Sequence, residues 1–141
     1  MQNVQPVLLV LLTFALAGCS SQQGAVRSTT TRRPAIISMG ATPFRSYDEK
    51  FVGTIQKSWD HLLDAVPFSR DRTGEVVVTF KLKADGHVND IAVKQNGGGA
   101  ELSMLCQRAV LDPQPYDPWP LEMQRAIGKR YRQITLSFHF Q

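Results

Sequence analysis

The sequence predicts an α+β domain: a three-stranded antiparallel sheet in the order 2-1-3, helices packed on one face, and the chain order αββαβ. Three observations predict it. Residues 74–95, GEVVVTFKLKADGHVNDIAVKQ, alternate apolar and polar side chains on both sides of an Asp-Gly turn. Two stretches, 48–66 and 100–111, repeat apolar residues at three- and four-residue spacing. A proline-rich segment then leads into a last alternating run, 131–140.

The chain of 141 residues is longer than this domain needs, and its first part reads differently. Val7 to Ala17 is an apolar run of the length of a secretory h-region, short for a bilayer span. It ends in Leu16-Ala17-Gly18-Cys19, ahead of a Ser/Gln-rich tail. This resembles a bacterial lipobox, in which small residues fit the peptidase and the cysteine thiol is acylated. The resemblance implies that residues 1–18 are a lipoprotein signal peptide and that Cys19 carries covalent lipid. No other cofactor is expected. Several acyl chains would hold the protein firmly, since one chain binds a membrane only marginally. The residue after Cys19 is Ser20, not Asp, which resembles lipoproteins sorted to the outer membrane of Gram-negative bacteria. The protein would then face the periplasm.

Residues 19–47 read as a lipidated N-terminus and flexible linker. From Ser20 to Tyr47 the composition is rich in Ser, Thr, Gln, Gly and Arg with no sustained apolar period. As a flexible coil it would span roughly 30 Å r.m.s.. Ile36, Ile37, Met39 and Phe44 are more apolar than a tether needs, and loose packing on the domain is the expected reason.

The formal net charge is +4, and its distribution is informative. Of 16 Lys and Arg residues, Arg27, Arg32, Arg33 and Arg45 precede residue 48, where there is no Asp or Glu. The remaining 12 bases are balanced by the 12 acids of residues 48–141. A neutral domain on a basic tether argues against a nucleic-acid partner, whose cations would sit on the domain itself. The tether suits an anionic envelope surface. Of the two cysteines, Cys19 belongs to the lipobox, so Cys106 has no partner for an internal disulfide.

Within residues 48–141 the elements follow in order. Phe51, Ile55, Trp59, Leu62, Leu63 and Val66 share one helical stripe, with Asp48 as expected N-cap and Pro67 as the stop. Trp59 is expected to cover the sheet. The first hairpin strand, about Glu75–Lys83, is apolar on both faces near Val76-Val77-Val78, as a central strand would be. The second, about His87–Gln95, is more polar, as an edge would be. Gly97-Gly98-Gly99 has neither the Lys-Ser/Thr nor the spacing of a phosphate loop and reads as a strand-to-helix corner. The helix Ala100–Leu111 turns Leu102, Leu105, Cys106 and Ala109 to one side, so Cys106 is expected as a small buried hydrophobe. Asp112 to Pro120 holds four prolines in nine residues and can be neither helix interior nor central strand. A buried crossover with Tyr116 and Trp119 packed inward is expected, then a short helical turn within Leu121–Gly128. Ile134, Leu136, Phe138 and Phe140 alternate in the closing strand.

This order resembles the C-terminal domain of TonB and TolA proteins over residues 48–141. The residues that carry the resemblance begin with the Trp59 helix ahead of the hairpin. Gly74-Glu75-Val76-Val77-Val78 and Asp85-Gly86-His87-Val88 follow. Then come the glycine run to Leu102 with its helix, and Pro113, Pro115, Pro118 and Pro120 before Ile134–Phe140. Those transducers carry an inner-membrane anchor and a long spacer. A lipobox and a short tether stand here, so what the resemblance implies is the fold and the mode of binding, not energy transduction.

A right-handed crossover would set the closing strand beside the first hairpin strand and leave it at a sheet edge. An edge offers unpaired N–H and C=O groups to an extended peptide. The expected partner-binding residues are Arg132, Thr135, Ser137 and His139, read as the helix-free face of that strand. The expected partners are other cell-envelope proteins, with no small-molecule substrate. A second reading is a structural subunit of a secretion, pilus or transport complex. His61, His87 and His139 lie on a helix, a turn and a terminal strand with no metal spacing or nucleophile motif, so no enzyme is expected.

Overall fold

Why the sheet has one wet face and one dry face follows from parity along its central strand. In β2 (Gly74–Lys83), Val76, Val78, Phe80 and Leu82 are buried, while Glu75, Val77 and Lys81 are half-buried. β4 (Tyr131–Phe140) repeats the pattern with Ile134, Leu136, Phe138 and Phe140 inward. The computed structural model describes residues 36–66 and 72–140, all within one compact unit, Arg32–Gln141. It is α+β, with β1 (Ile36–Met39), α1 (Arg45–Asp64), β2, β3 (Val88–Asn96), α2 (Ala100–Leu111), α3 (Leu121–Ile127) and β4 in chain order.

The sheet is antiparallel with the order β1-β4-β2-β3. The three strands read from the sequence do lie in the order 2-1-3, but the sheet has four strands. The fourth, β1, comes from the stretch read as linker. It pairs Ile36 with His139 and Met39 with Leu136, and Ile37 is buried in the core cluster. Four residues are too few to show a period, so only contact with β4 makes this segment a strand.

β2 and β4 run in unbroken register from Gly74↔Phe140 to Lys83↔Tyr131. β2 and β3 do not: the register shifts between Val77 and Val78 and again between Thr79 and Lys81. At the hairpin turn, Gly86 donates its N–H to the Lys83 carbonyl at 3.0 Å and takes φ 88°, which glycine adopts without strain. A Cβ there would also collide with the Tyr116 backbone.

α1 and α2 cover the inner face. Trp59, fully buried, sets its ring edge-on to Phe138 at 4.8 Å and to Phe140 at 5.0 Å. Phe51 lies 6.1 Å from Phe80 and 4.5 Å from Tyr116 between ring centroids. Each large side chain so buried contributes roughly 1.5–3 kcal/mol. The proline-rich segment is the expected inward crossover. Tyr116 N–H donates to the Gly86 carbonyl and Trp119 N–H to the Ala84 carbonyl, each at 2.9 Å. Tyr116 Oη donates to the Val110 carbonyl at 2.6 Å. Cys106 is a free, buried thiol, and burial pushes its pKa well above the ordinary cysteine value.

Helix α1 starts three residues earlier than its apolar stripe suggests, at Arg45, and Asp48 is not its cap. Asp48 sits inside the first turn, buried, with its carboxylate paired to the Arg132 guanidinium. The cap position is Phe44, whose N–H donates to Thr42 Oγ1 at 3.1 Å. Among the described residues no helix is long and apolar enough to cross a membrane.

Candidate functional site

The chain-order strands leave two sheet edges, and the fold treats them differently. On β3 the two register shifts are β-bulges, and Asp90 within one of them takes φ 54°. Lys81 Nζ reaches across to Asp90 at 2.7 Å. Bulges and charges of this kind blunt an edge against pairing with another chain.

The other edge is built from β4 upward. Ala84 N–H donates to the Arg130 carbonyl at 3.0 Å, one step beyond the Lys83↔Tyr131 pair. Antiparallel pairs alternate. Even-numbered residues of β4 therefore turn their backbone groups toward β2, and Tyr131, Gln133, Thr135, Ser137 and His139 turn theirs away. β1 meets Ser137 with Ser38 and His139 with Ile36, and its register stops at Met39↔Leu136. Among the described residues no strand pairs with Tyr131–Thr135 on that side.

The cause is the start of α1. Gly40 would stand opposite Thr135 if β1 continued. Instead Thr42 engages Phe44 N–H, and the Phe44 carbonyl accepts the Asp48 N–H at 3.0 Å. Tyr47 and Phe51 are buried in the helix layer and draw the chain with them. Between Met39–Phe44 and Arg132–Thr135 this leaves a groove of about 380 Å³, with Ile127 beside it.

The sequence-expected residues divide accordingly. Thr135 is exposed and lies on the open half-edge, opposite Thr79 of β2. Ser137 and His139 lie on a stretch of β4 that this chain's own β1 already covers, so they do not form a free edge. Arg132 is not on the helix-free face: it shares parity with Ile134 and pairs with Asp48 on α1. Its guanidinium also lies 5.7 Å from the centre of the Phe44 ring. Cys19 lies outside the described residues. Gln133 belongs to the open half-edge and escaped the sequence reading. Counting by twos from Phe140 assigns both it and Arg132 to their faces.

One cluster merits comparison with a nucleophile relay. Ser38 Oγ lies 3.1 Å from His139 Nε2, and a Glu75 oxygen lies 3.9 Å from the same nitrogen. A relay needs the acid on the other ring nitrogen. Both contacts fall on Nε2, which makes this a cross-strand polar cluster.

Three exposed cations gather where the half-edge begins. Lys129 and Arg130 directly precede Tyr131, and Lys83 faces Tyr131 across the ladder. Among the described residues none of the three forms an ion pair. Arg132, by contrast, already has its counterion.

No family model, no curated protein and no solved structure matches this chain.

Proposed function

We propose that this chain is an outer-membrane-anchored periplasmic lipoprotein whose domain acts as an envelope adaptor, holding an extended segment of another envelope protein by strand addition. The observation that carries this reading is the open half-edge of β4. Gln133 and Thr135 aim backbone donors and acceptors into a groove, while β1 covers the rest of β4 and the bulged β3 blunts the opposite edge. Backbone pairing supplies affinity in such a mode, and the groove walls supply specificity. The lipobox at Cys19 supports the anchor, and the likeness to TonB and TolA C-terminal domains supports the binding mode.

The test uses the full-length protein extracted from membranes in detergent. Thr135→Pro removes one outward N–H and leaves the β2 ladder its donors. The variant is expected to fold, by circular dichroism, and to lose the envelope protein that co-purifies with the wild type. In the wild-type complex, the Gln133 and Thr135 amides should exchange more slowly with solvent than in the free protein. Undiminished co-purification with folded Thr135→Pro, together with unchanged exchange at those two amides, would overturn the reading. A structural subunit of a larger envelope machine is the second reading. It predicts a stoichiometric partner that stays bound at every dilution.

A further inference from the structure

We infer that the segment received by the β4 half-edge is acidic at its C-terminal end and carries an apolar side chain two residues or so before it. This rests on the strand-addition reading above and specifies the chemistry of its occupant.

The geometry gives direction first. β1 runs antiparallel to β4, from His139 toward Leu136. A strand that continues the line of β1 passes Thr135, then Gln133, and ends at Tyr131. Antiparallel pairing is also slightly stronger per residue than parallel pairing. The C-terminal end of the occupant therefore arrives at Tyr131, next to Lys129 and Arg130, with Lys83 one strand further across on β2. These cations are exposed and unpaired among the described residues. The acids nearest in sequence are engaged or distant. Asp85 accepts the His87 N–H at 3.0 Å and lies 3.2 Å from His87 Nδ1, and it also feels the charge of Lys83, so the uncompensated cations are chiefly Lys129 and Arg130. Asp48 is committed to Arg132. Glu122 stands in the first turn of α3, at the far end of that helix from Lys129. Residues 48–141 balance 12 bases with 12 acids, so this is a local excess of positive charge.

Side-chain alternation gives the second feature. The occupant's residue opposite Ile134 shares the face of Ile134, because directly opposed residues in a ladder project to the same side. On that side the groove is lined by Met39, Phe44, Ile127 and Ile134, with Arg132 beside them already paired to Asp48. An apolar side chain fits the apolar walls, and a cation there would lose its water beside Arg132 without a counterion.

The experiment measures fluorescence anisotropy of the full chain in detergent micelles with labelled octapeptides of alternating valine and threonine. Every peptide is amidated at its C-terminus, so that acid comes from side chains alone. One ends in two glutamates, one in two glutamines, and one carries its two glutamates at the N-terminal end. The peptide with C-terminal glutamates is expected to bind about tenfold tighter than the glutamine peptide, the sum of two or three exposed ion pairs. That advantage should vanish in Lys129→Gln/Arg130→Gln, and should shrink as salt rises from about 0.05 M to about 0.5 M. N-terminal glutamates should give no advantage.

Equal binding of glutamate and glutamine peptides, with both abolished by Thr135→Pro, would overturn this inference and leave strand addition standing. A preference for N-terminal glutamates would overturn the antiparallel direction and the inference with it. Binding indifferent to Thr135→Pro, or no binding by any peptide, would overturn both the inference and the reading beneath it.

Discussion

Asp48 and Arg132 hold opposite charges almost out of reach of water, their side chains 4% and 13% exposed. Two further atoms of the pair, Asp48 Oδ2 and Arg132 Nη1, are buried without a hydrogen-bond partner among the described residues. A buried pair is weak evidence of net stability, but a buried charge deprived of its partner is costly. Asp48→Leu or Arg132→Leu alone is expected to destabilise by about 3–5 kcal/mol. The double variant Asp48→Leu/Arg132→Leu should cost far less than the sum, because it leaves no orphaned charge. Urea unfolding of the three variants measures this coupling. Additive losses would mean that the two side chains act independently. The pair matters to the groove as well, since it pins the first turn of α1 to β4 at the point where the chain departs from the sheet.

At the scale of elements, β1 is the weakest member of the sheet. It contributes four residues, a single neighbour strand and one buried side chain, Ile37. Ile37→Asp would place a carboxylate in the core cluster without a counterion, at a cost of a few kcal/mol, more than so short a strand gains by docking. The expected result is detachment of β1 with the rest of the fold intact. Amide exchange distinguishes this from general loosening. Ser137 and His139, whose N–H groups turn toward β1, should exchange faster. Leu136 and Phe138, whose groups turn toward β2, should stay protected. Uniform acceleration along β4 would contradict the assigned parity. β3 needs no such cover, because its two bulges and the Lys81–Asp90 pair already disfavour a second chain.

For the molecule as a whole, the buried phenols set the response to alkali. Burial pushes Tyr47 up to about 12, with Arg132 opposing the shift and Asp117 and Asp48 adding to it. Burial moves Tyr116 the same way. A folded-state value above the ordinary 10.0 means that the fold holds the proton more tightly than the unfolded chain does. This stabilisation is fully present below pH 10.0 and is lost as pH rises through about 12. Urea midpoints should therefore fall over that window, and less steeply in Tyr47→Phe. A midpoint that does not move would contradict the burial of these rings. The hairpin, α2 and β4 were legible in the sequence, since contiguous residues carry their period, and so was the crossover, since proline fixes its own backbone. The sequence reading of Arg132 onto the helix-free face with Thr135 was wrong: counting by twos from Phe140 sets it on the helix side. What only the tertiary structure decided was the company that segments keep across the chain. Asp48 is a counterion because of a residue 84 positions away, not a cap. Ile36–Met39 is a strand because β4 lay open beside it. Backbone N–H and C=O groups are alike at every position, so no local pattern says which of them a neighbour will claim. That is why the half-edge at Tyr131–Thr135 came into view only when the described strands were in place.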